Sequence, residues 1–364
     1  MRVLFQVRPD FMKNPAGDTV QMVSTGQELK NLGVEVQIST DPNIDLSPYD
    51  FVHIFNITRI KESYMFFLNA QKQKKWVVLS PIYWPPNAYF KREGASTNAL
   101  AVWKHMQPMR ARLVSESTLL LPNSQIEMNV LHQDFLKTAP YQVVPNGFPD
   151  SFIGTTPQLF RKHFPDIPKE FILCAARISS RKNQHWLAKI SHELGVSLVL
   201  LGPVNDQKYF ESVTSFSNVI HIGTLQGELL ASAYSAAIAH ALPSWFETPG
   251  LSSIEAGACG TVVISTDQGS PKEYFRDMAL YVHPQDDLSL RTALEQSFNA
   301  SPLPLMHHIH KHYPWSKVAE ITLEAYRKIL LFKSPNPEPE PKFLTSSNPP
   351  PHKITLYNAG NFQV

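Results

Sequence analysis

Glu247 and Glu255 flank a Pro249-Gly250 pair in the segment Pro243-Ser244-Trp245-Phe246-Glu247-Thr248-Pro249-Gly250-Leu251-Ser252-Ser253-Ile254-Glu255-Ala256-Gly257. Proline and glycine stop a helix from running back to Glu247. Glu247 is therefore expected on a strand-end loop, and Glu255 one turn into a helix that opens near Leu251. The first turn of such a helix leaves backbone N–H groups unpaired and carries a partial positive charge, which suits a diphosphate. Carboxylates on either side can accept bonds from hydroxyls. This is a layout for holding a sugar nucleotide at Glu247, Gly250, Leu251 and Glu255. Taken alone, the same spacing also fits a capped surface helix with two solvated glutamates.

A second group of chemically capable residues lies in Ala175-Ala176-Arg177-Ile178-Ser179-Ser180-Arg181-Lys182-Asn183, directly after a β-rich run and before a helical one. A leaving nucleoside diphosphate gains negative charge as a glycosidic bond breaks. A guanidinium at Arg177 and an ammonium at Lys182 would stabilise that state more than the ground state. Arginine forks onto two phosphate oxygens and lysine acts as a point charge. A helix start is an electrostatically poor place for cations that only decorate a surface. Gly202 and Gly223 each follow a strand and allow close backbone approach, although ordinary turns read the same way. Near the beginning, Asn14-Pro15-Ala16-Gly17-Asp18-Thr19 follows the first strand and leads into a helix that Asp18 could cap. Gly17 in this loop could face a phosphate or an acceptor.

His53, at the end of Val52-His53, and the pair Tyr83-Trp84 after the fourth strand are candidates for the acceptor side. A strand-end histidine satisfied within the protein and aromatics packed in a core are the competing readings. No G-x-G-x-x-G or G-x-x-x-x-G-K-[ST] pattern occurs, so nicotinamide, flavin and P-loop chemistry lose their usual support. No Asp-x-Asp pair lies at a plausible strand end and no His/Cys cluster has metal spacing. No metal site and no cofactor are expected beyond the nucleotide substrate.

These residues need strand ends to stand on. Short apolar runs at Val3 to Val7, Val34 to Ile38, Phe51 to Phe55, Trp76 to Leu79, Leu119 to Leu121 and Tyr141 to Val144 alternate with helical stretches such as Thr19 to Leu32, Glu62 to Gln73 and Gln125 to Phe135. A looser, proline-bearing segment from Pro149 to Glu170 follows, and the pattern restarts. New strands are expected at Phe171 to Ala175, Leu198 to Leu201, Val219 to His221, Ala237 to Leu242, Thr261 to Ile264 and Leu280 to Val282. Two α/β units with parallel sheets leave one cleft between them, and ligands in such sheets bind at the carboxyl ends of the strands. The division expected is 1–150 and 151–314, with a last amphipathic helix over 315–333. Residues 334–364, rich in Pro and Glu at their start, read as a mobile spacer, with Lys353 to Tyr357 as a segment that could dock.

The chain has 364 residues and is 43% hydrophobic, enough for two sizeable cores. A net charge of +2, with acids and bases balanced, gives no basic face for nucleic acid. The clusters Lys72, Lys74, Lys75 and Lys91, Arg92 read as solvated faces or as weak contacts with an anionic membrane surface. Cys174 and Cys259, both in apolar surroundings, suggest free thiols in a reducing compartment. The opening run is soon interrupted by Arg8 and Asp10 and reads as a strand, and the expected location is cytoplasmic. No run of about 18 apolar residues suggests a membrane span.

Together these motifs resemble the retaining glycosyltransferases of family 4, which have the GT-B fold. The similarity covers about residues 1 to 333. It is carried by Val144-Pro145-Asn146-Gly147-Phe148, then Arg177 with Lys182, then Glu247-x7-Glu255 followed by Ala258-Cys259-Gly260-Thr261. The resemblance implies that Arg177 and Lys182 bind the donor diphosphate, that Glu247 contacts the transferred sugar, and that Glu255 binds the ribose hydroxyls. It also implies that the Gly250 and Leu251 amides bind phosphate or sugar, and that the closing helix, over 315–333, crosses back onto the first domain. Two motifs differ from many members: Ala16-Gly17 stands where they have Gly-Gly, and Thr248-Pro249 where they have Gly-Phe. Pro81-Ile82-Tyr83 stands where many have a histidine, which leaves acceptor positioning to His53 or the aromatics. The implied activity is transfer of a sugar, with retention, from a nucleoside diphosphate sugar of UDP or GDP type to a hydroxyl of a glycan, lipid-linked or small-molecule acceptor. Surface polysaccharide assembly is the commonest setting for this resemblance. The alternatives are a GT-B sugar-nucleotide epimerase or hydrolase, and a non-catalytic nucleotide-sugar binding protein.

Overall fold

The computed structural model describes residues 1–92 and 97–331. Among them the first sheet has five parallel strands, β1 (Arg2–Gln6), β2 (Glu35–Ser39), β3 (Phe51–Phe55), β4 (Trp76–Ser80) and β5 (Leu119–Leu120), in the order β2-β1-β3-β4-β5. All five residues of β3 are buried, because helices cover both faces of the sheet and a strand in that position reads as a continuous apolar run. The helices of this half are α1 (Gly17–Asn31), α2 (Ile60–Lys72), α3 (Asn87–Lys91), α4 (Thr97–His105), α5 (Gln107–Glu116) and α6 (Gln125–Asp134).

The second half repeats the plan. Strands β6 (Phe171–Ala175), β7 (Ser197–Leu201), β8 (Val219–His221), β9 (Ala239–Leu242), β10 (Val262–Thr266) and β11 (Leu280–Val282) form a parallel sheet in the order β11-β10-β9-β6-β7-β8. It carries α7 (Gln158–His163), α8 (Gln184–Glu193), α9 (Gln207–Thr214), α10 (Gly227–Ala236), α11 (Leu251–Ala258), α12 (Pro271–Phe275), α13 (Asp287–Ser297) and α14 (Leu303–His312). One core layer joins Leu173, Val199, Ile254 and Ile309, and the other joins Ile172, Leu187, Ile264 and Leu294.

The last helix, α15 (Trp315–Leu331), leaves the second half and buries Val318, Tyr326 and Ile329 against Val3, Phe5 and Met22 of the first. The chain therefore crosses between the halves twice, and the two crossings lie side by side. Phe148 donates its N–H to Tyr313 O at 3.0 Å, and Trp315 donates to Phe148 O at 3.1 Å. A Cβ on Gly147 would stand 2.6 Å from Tyr313 O, so glycine lets the two linkers touch. Below that contact the carboxyl ends of both sheets face one cleft.

Strand positions agree with the sequence reading to within a residue or two, with one exception. The strand expected over Tyr141 to Val144 is reduced to an isolated bridge between Tyr141 and Leu120. Gln142 and Val144 still donate to Leu120 O and Pro122 O, but Pro122 has no N–H with which to return a bond to this segment, so the ladder is not completed. Residues 332–364, with the expected spacer and the docking segment at 353–357, lie outside the described residues. No helix among the described residues is long and apolar enough to cross a membrane.

Candidate functional site

Glu247 sits in the loop after β9, and its backbone is fixed before its side chain is considered. Its N–H donates to Gln268 O at 3.1 Å, and its carbonyl accepts from Ser270 N–H at 2.9 Å. Gly269, at φ +102°, makes this possible: a Cβ there would lie 1.9 Å from Glu247 O. The side chain, 7% exposed, meets Lys182 from the turn after β6, with Lys182 Nζ 2.5 Å from Glu247 Oε1. Arg181 Nη1 approaches the same oxygen at 3.6 Å and donates to Phe246 O at 3.0 Å. Burial alone would raise the Glu247 carboxyl, but Lys182 and Arg181 outweigh it and hold the group below the usual carboxylate range. The Lys182 ammonium is in turn lowered by burial, with Glu247 opposing that shift.

The loop then turns at Gly250, whose φ of +93° favours glycine, and α11 begins. The first intrahelical acceptor is Gly250 O, which takes bonds from Ser253 and Ile254 N–H. The amides of Gly250, Leu251 and Ser252 precede these bonds, and a helix start of this kind suits an anion. One turn on, Glu255 accepts a hydrogen bond from the Tyr234 hydroxyl at 2.9 Å. Burial pushes its carboxyl up to about 7 against the opposing effect of Tyr234. Glu247 and Glu255 are thus in opposite electrostatic states, one paired with cations and one without.

Arg177 is on the same strand-end loop as Lys182 but faces the other half of the molecule, where its Nη2 donates to Pro15 O at 2.8 Å. Gly17 lies beside this contact, and a Cβ on it would meet Leu251 Cδ1 at 3.6 Å. The first loop, Arg177 and the start of α11 therefore converge. Gly202, at φ +133°, packs directly under the Arg177 loop, where a Cβ would fall 2.2 Å from Ala176 O. Gly223 supports it from below by accepting the Gly202 N–H at 2.8 Å. Asp18 does not cap α1 as expected; Ala16 occupies that position. Arg8, 6% exposed, takes Asp18 instead, with Nε 3.0 Å from Asp18 Oδ2, and also contacts Asp10, Asn14 O and Thr19. This network stiffens the first loop, and an Arg8–Asp18 spacing gives no warning of it in the sequence.

Of the three acceptor-side candidates, His53 and Tyr83 take the competing reading, satisfied or packed within the protein. His53 is in the middle of β3 and 1% exposed, with Nδ1 2.6 Å from Tyr326 Oη and Nε2 2.9 Å from Ser80 Oγ. Burial pushes it down to about 3, so it is a neutral tie between the sheet and α15 and does not line the cleft. Tyr83 is also fully buried, donating to Asp134 Oδ2 at 2.6 Å and stacking on Trp103. Trp84 is half-buried. The aromatic that does reach across is Tyr89 of α3, whose hydroxyl lies 2.8 Å from Ser180 Oγ and whose ring meets Trp245.

Arg92 stacks on Tyr89 and donates to the same Ser180 Oγ at 3.1 Å, so it serves the cleft and not a solvated face. Lys75 likewise turns inward onto Ser47 O and Tyr49 O. Sequence reasoning also missed the contacts that hold the two halves together. Glu273 of α12 accepts the Gln125 and Ile126 N–H groups at the start of α6, both at 2.8 Å, and Ser124 Oγ meets Ser270 Oγ at 2.7 Å. Among the described residues no group of three or more His, Cys, Asp or Glu is placed to hold a metal ion.

Residues 155–310 match the family model described as Glycosyl transferases group 1. The structure is similar to sucrose-phosphate synthase from Thermosynechococcus elongatus, with a TM-score of 0.77 and 17% identity over 92% of this chain and 100% of that one. It is also similar to Anabaena HepE in complex with UDP-glucose, with a TM-score of 0.71 and 15% identity over 90% of this chain and 99% of that one. No curated protein sequence matches the chain significantly. The two parallel α/β halves and the returning helix constitute the GT-B fold.

Proposed function

We propose that the chain is a retaining glycosyltransferase that moves a sugar from a nucleoside diphosphate sugar to an acceptor hydroxyl without a metal ion. The observation that carries this reading is the Lys182–Glu247 pair, at 2.5 Å, beside the open amides at the start of α11 in a GT-B cleft. The match of residues 155–310 to a glycosyltransferase family supports it, as does the UDP-glucose held by the structurally similar HepE. In this reading the diphosphate lies on the Gly250 and Leu251 amides with Lys182, Arg181 and Arg177 around it. Four sources of positive potential then meet the charge that a metal would otherwise neutralise. Glu255 accepts from the ribose hydroxyls and Glu247 from the transferred sugar.

The acceptor hydroxyl attacks the anomeric carbon from the face that the diphosphate leaves. The C–O bond to the diphosphate breaks as the new glycosidic bond forms, and the departing oxygen takes the acceptor proton. No protein base is required, and the site works by positioning and charge stabilisation. Assembly of a glycan or surface polysaccharide is the setting we infer. The two free, buried thiols, Cys174 and Cys259, are in keeping with a reducing, cytoplasmic location.

The test is to incubate the protein with UDP-, GDP- and ADP-sugars with and without acceptor glycosides. Release of nucleoside diphosphate that depends on acceptor and yields an α-linked product is expected. Equal release without acceptor would make the protein a hydrolase or epimerase, and binding without release a non-catalytic receptor.

A further inference from the structure

The first half contains a cavity of about 530 Å³ that the donor reading does not use. Its walls are Thr58, Arg59 and Ile60 after β3, Phe90 of α3, and Val102 and Trp103 of α4, with Arg110 at its base. This volume is in the range of small-molecule sites, and the walls are largely apolar. The cavity adjoins the cleft on two sides. On one side α3 separates it from the donor half, with Phe90 on the cavity and Tyr89 on Ser180, two residues before Lys182. On the other side Arg59 bonds Asp10 of the first loop at 3.3 Å, and that loop carries Pro15, which holds Arg177.

Arg110 is the unusual member. It is 2% exposed, and its bonds go to Ile57 O, Trp103 O and Gln107 Oε1, with its guanidinium stacked on the Trp103 ring. None of these partners carries a charge, and among the described residues Nη2 has no hydrogen-bond partner. A buried guanidinium without a carboxylate is costly unless an anion meets it, and arginine is the side chain best shaped to fork onto phosphate or carboxylate. Arg59 and Lys61 add positive charge at the rim, where Glu62 is paired with Arg59 at 2.9 Å.

We propose that this cavity receives the acceptor, and that the acceptor joins an apolar group to a phosphate or carboxylate. The apolar group fills the space between Ile60, Phe90, Val102 and Trp103, and the anion meets Arg110. The sugar-accepting hydroxyl then extends past α3 towards Glu247. This rests on the glycosyltransferase reading for the identity of the occupant as acceptor. The cavity and the Arg110 guanidinium at its base stand independently of it.

The experiment is calorimetric titration of the full chain with 1-naphthyl phosphate, decyl phosphate below its micellar concentration, and neutral 1-naphthol, with UDP and GDP titrated in parallel. One phosphate ester should bind per chain, and the neutral compound at least about tenfold more weakly. Tighter binding of naphthyl phosphate assigns a compact aromatic group, and tighter binding of decyl phosphate a lipid chain. Val102→Glu, at an exposed position on the cavity mouth, should abolish binding of the ester and leave nucleoside diphosphate affinity intact. Arg110→Met should remove the preference for the ester over the neutral compound, and if that variant does not fold, Val102→Glu decides alone. Absence of ester binding, equal binding of neutral and charged compounds, or unaltered binding by Val102→Glu overturns the proposal. Absence of UDP and GDP binding by the unmodified chain would instead overturn the donor-site reading.

Discussion

Lys182 Nζ and Glu247 Oε1 stand 2.5 Å apart, although they come from loops that follow two different strands and are 65 residues apart in the chain. Adjacency of β6 and β9 in the sheet brings the loops together, and Gly269 fixes the backbone of one of them. The pair keeps a carboxylate ionised where the transferred sugar would sit, and a cation charged where the diphosphate would leave.

Removing one member should therefore be worse than removing both. Lys182→Met leaves a 7%-exposed carboxylate with Arg181 at 3.6 Å as its nearest cation, and should cost about 2–4 kcal/mol of stability because an unpaired charge stays buried. Lys182→Met combined with Glu247→Gln should regain most of that stability while activity stays at least about a hundredfold down. Denaturant titration of the three variants checks this, and strictly additive losses would show that the pair is not coupled.

The two glutamates should respond to pH in opposite directions. Glu247 is held below its ordinary value, so its contribution to stability is present above the ordinary carboxylate range and is lost as pH falls through its lowered value. Glu255 is raised to about 7, so the native state is favoured while it is protonated, and that advantage is lost as pH rises from the ordinary carboxylate range through about 7. Ribose hydroxyls need its ionised form as acceptor. Nucleoside diphosphate affinity should then rise roughly tenfold from pH 6 to pH 8. Glu255→Gln should show only the titration of the phosphate itself, and an identical profile in wild type and variant would remove Glu255 from the ribose site.

Gly202→Ala tests the floor of the donor site. A Cβ would collide with Ala176 O at a φ of +133°, so the Arg177 loop must move, at a cost of about 2–4 kcal/mol. Thermal unfolding should show the loss and diphosphate affinity should fall with it. Gly223→Ala also has a positive φ, of +77°, but meets nothing within 4 Å, so it should cost less, about 1 kcal/mol.

Turnover without a metal ion is the expectation that the proposed diphosphate role of Arg177, Arg181 and Lys182 carries. Turnover should persist with a chelator present, and activity that vanished with EDTA and returned with Mn²⁺ or Mg²⁺ would show that Arg177, Arg181 and Lys182 do not carry the diphosphate charge alone.

Most of the fold was legible because buried parallel strands are short apolar runs bounded by turn residues, and β3 and β6 were read to the residue. Tyr141 to Val144 has the same composition, and Pro122 on the facing segment, which has no N–H to donate, decided against a full strand. In the site, the Pro249-Gly250 break separated Glu247 from Glu255 correctly, since a local backbone rule governs it. His53 and Tyr83 were harder to place because burial, not residue type, decides whether a polar aromatic faces a cleft or a core. His53 ends up between Ser80 and Tyr326, and the latter lies on a helix 273 residues away in the chain. Arg110 had no clear signature either: Gln107 lies three residues back on its own helix and Trp103 on the helix before, but the carbonyl of Ile57 that completes its surroundings comes from 53 residues away.

The central claim, that Glu247 and Glu255 hold different parts of one nucleotide sugar, is tested most directly by calorimetric titration of nucleoside diphosphates into the unmodified chain, Glu247→Gln and Glu255→Ala at pH 8 without added metal. The unmodified chain should bind one nucleoside diphosphate. Glu255→Ala should lose about 1.5–3 kcal/mol of that binding, the range for a hydrogen bond to a charged group, while Glu247→Gln should bind almost normally and fail in turnover. Normal binding by Glu255→Ala with collapsed binding by Glu247→Gln, or no nucleoside diphosphate binding by the unmodified chain, would contradict the account.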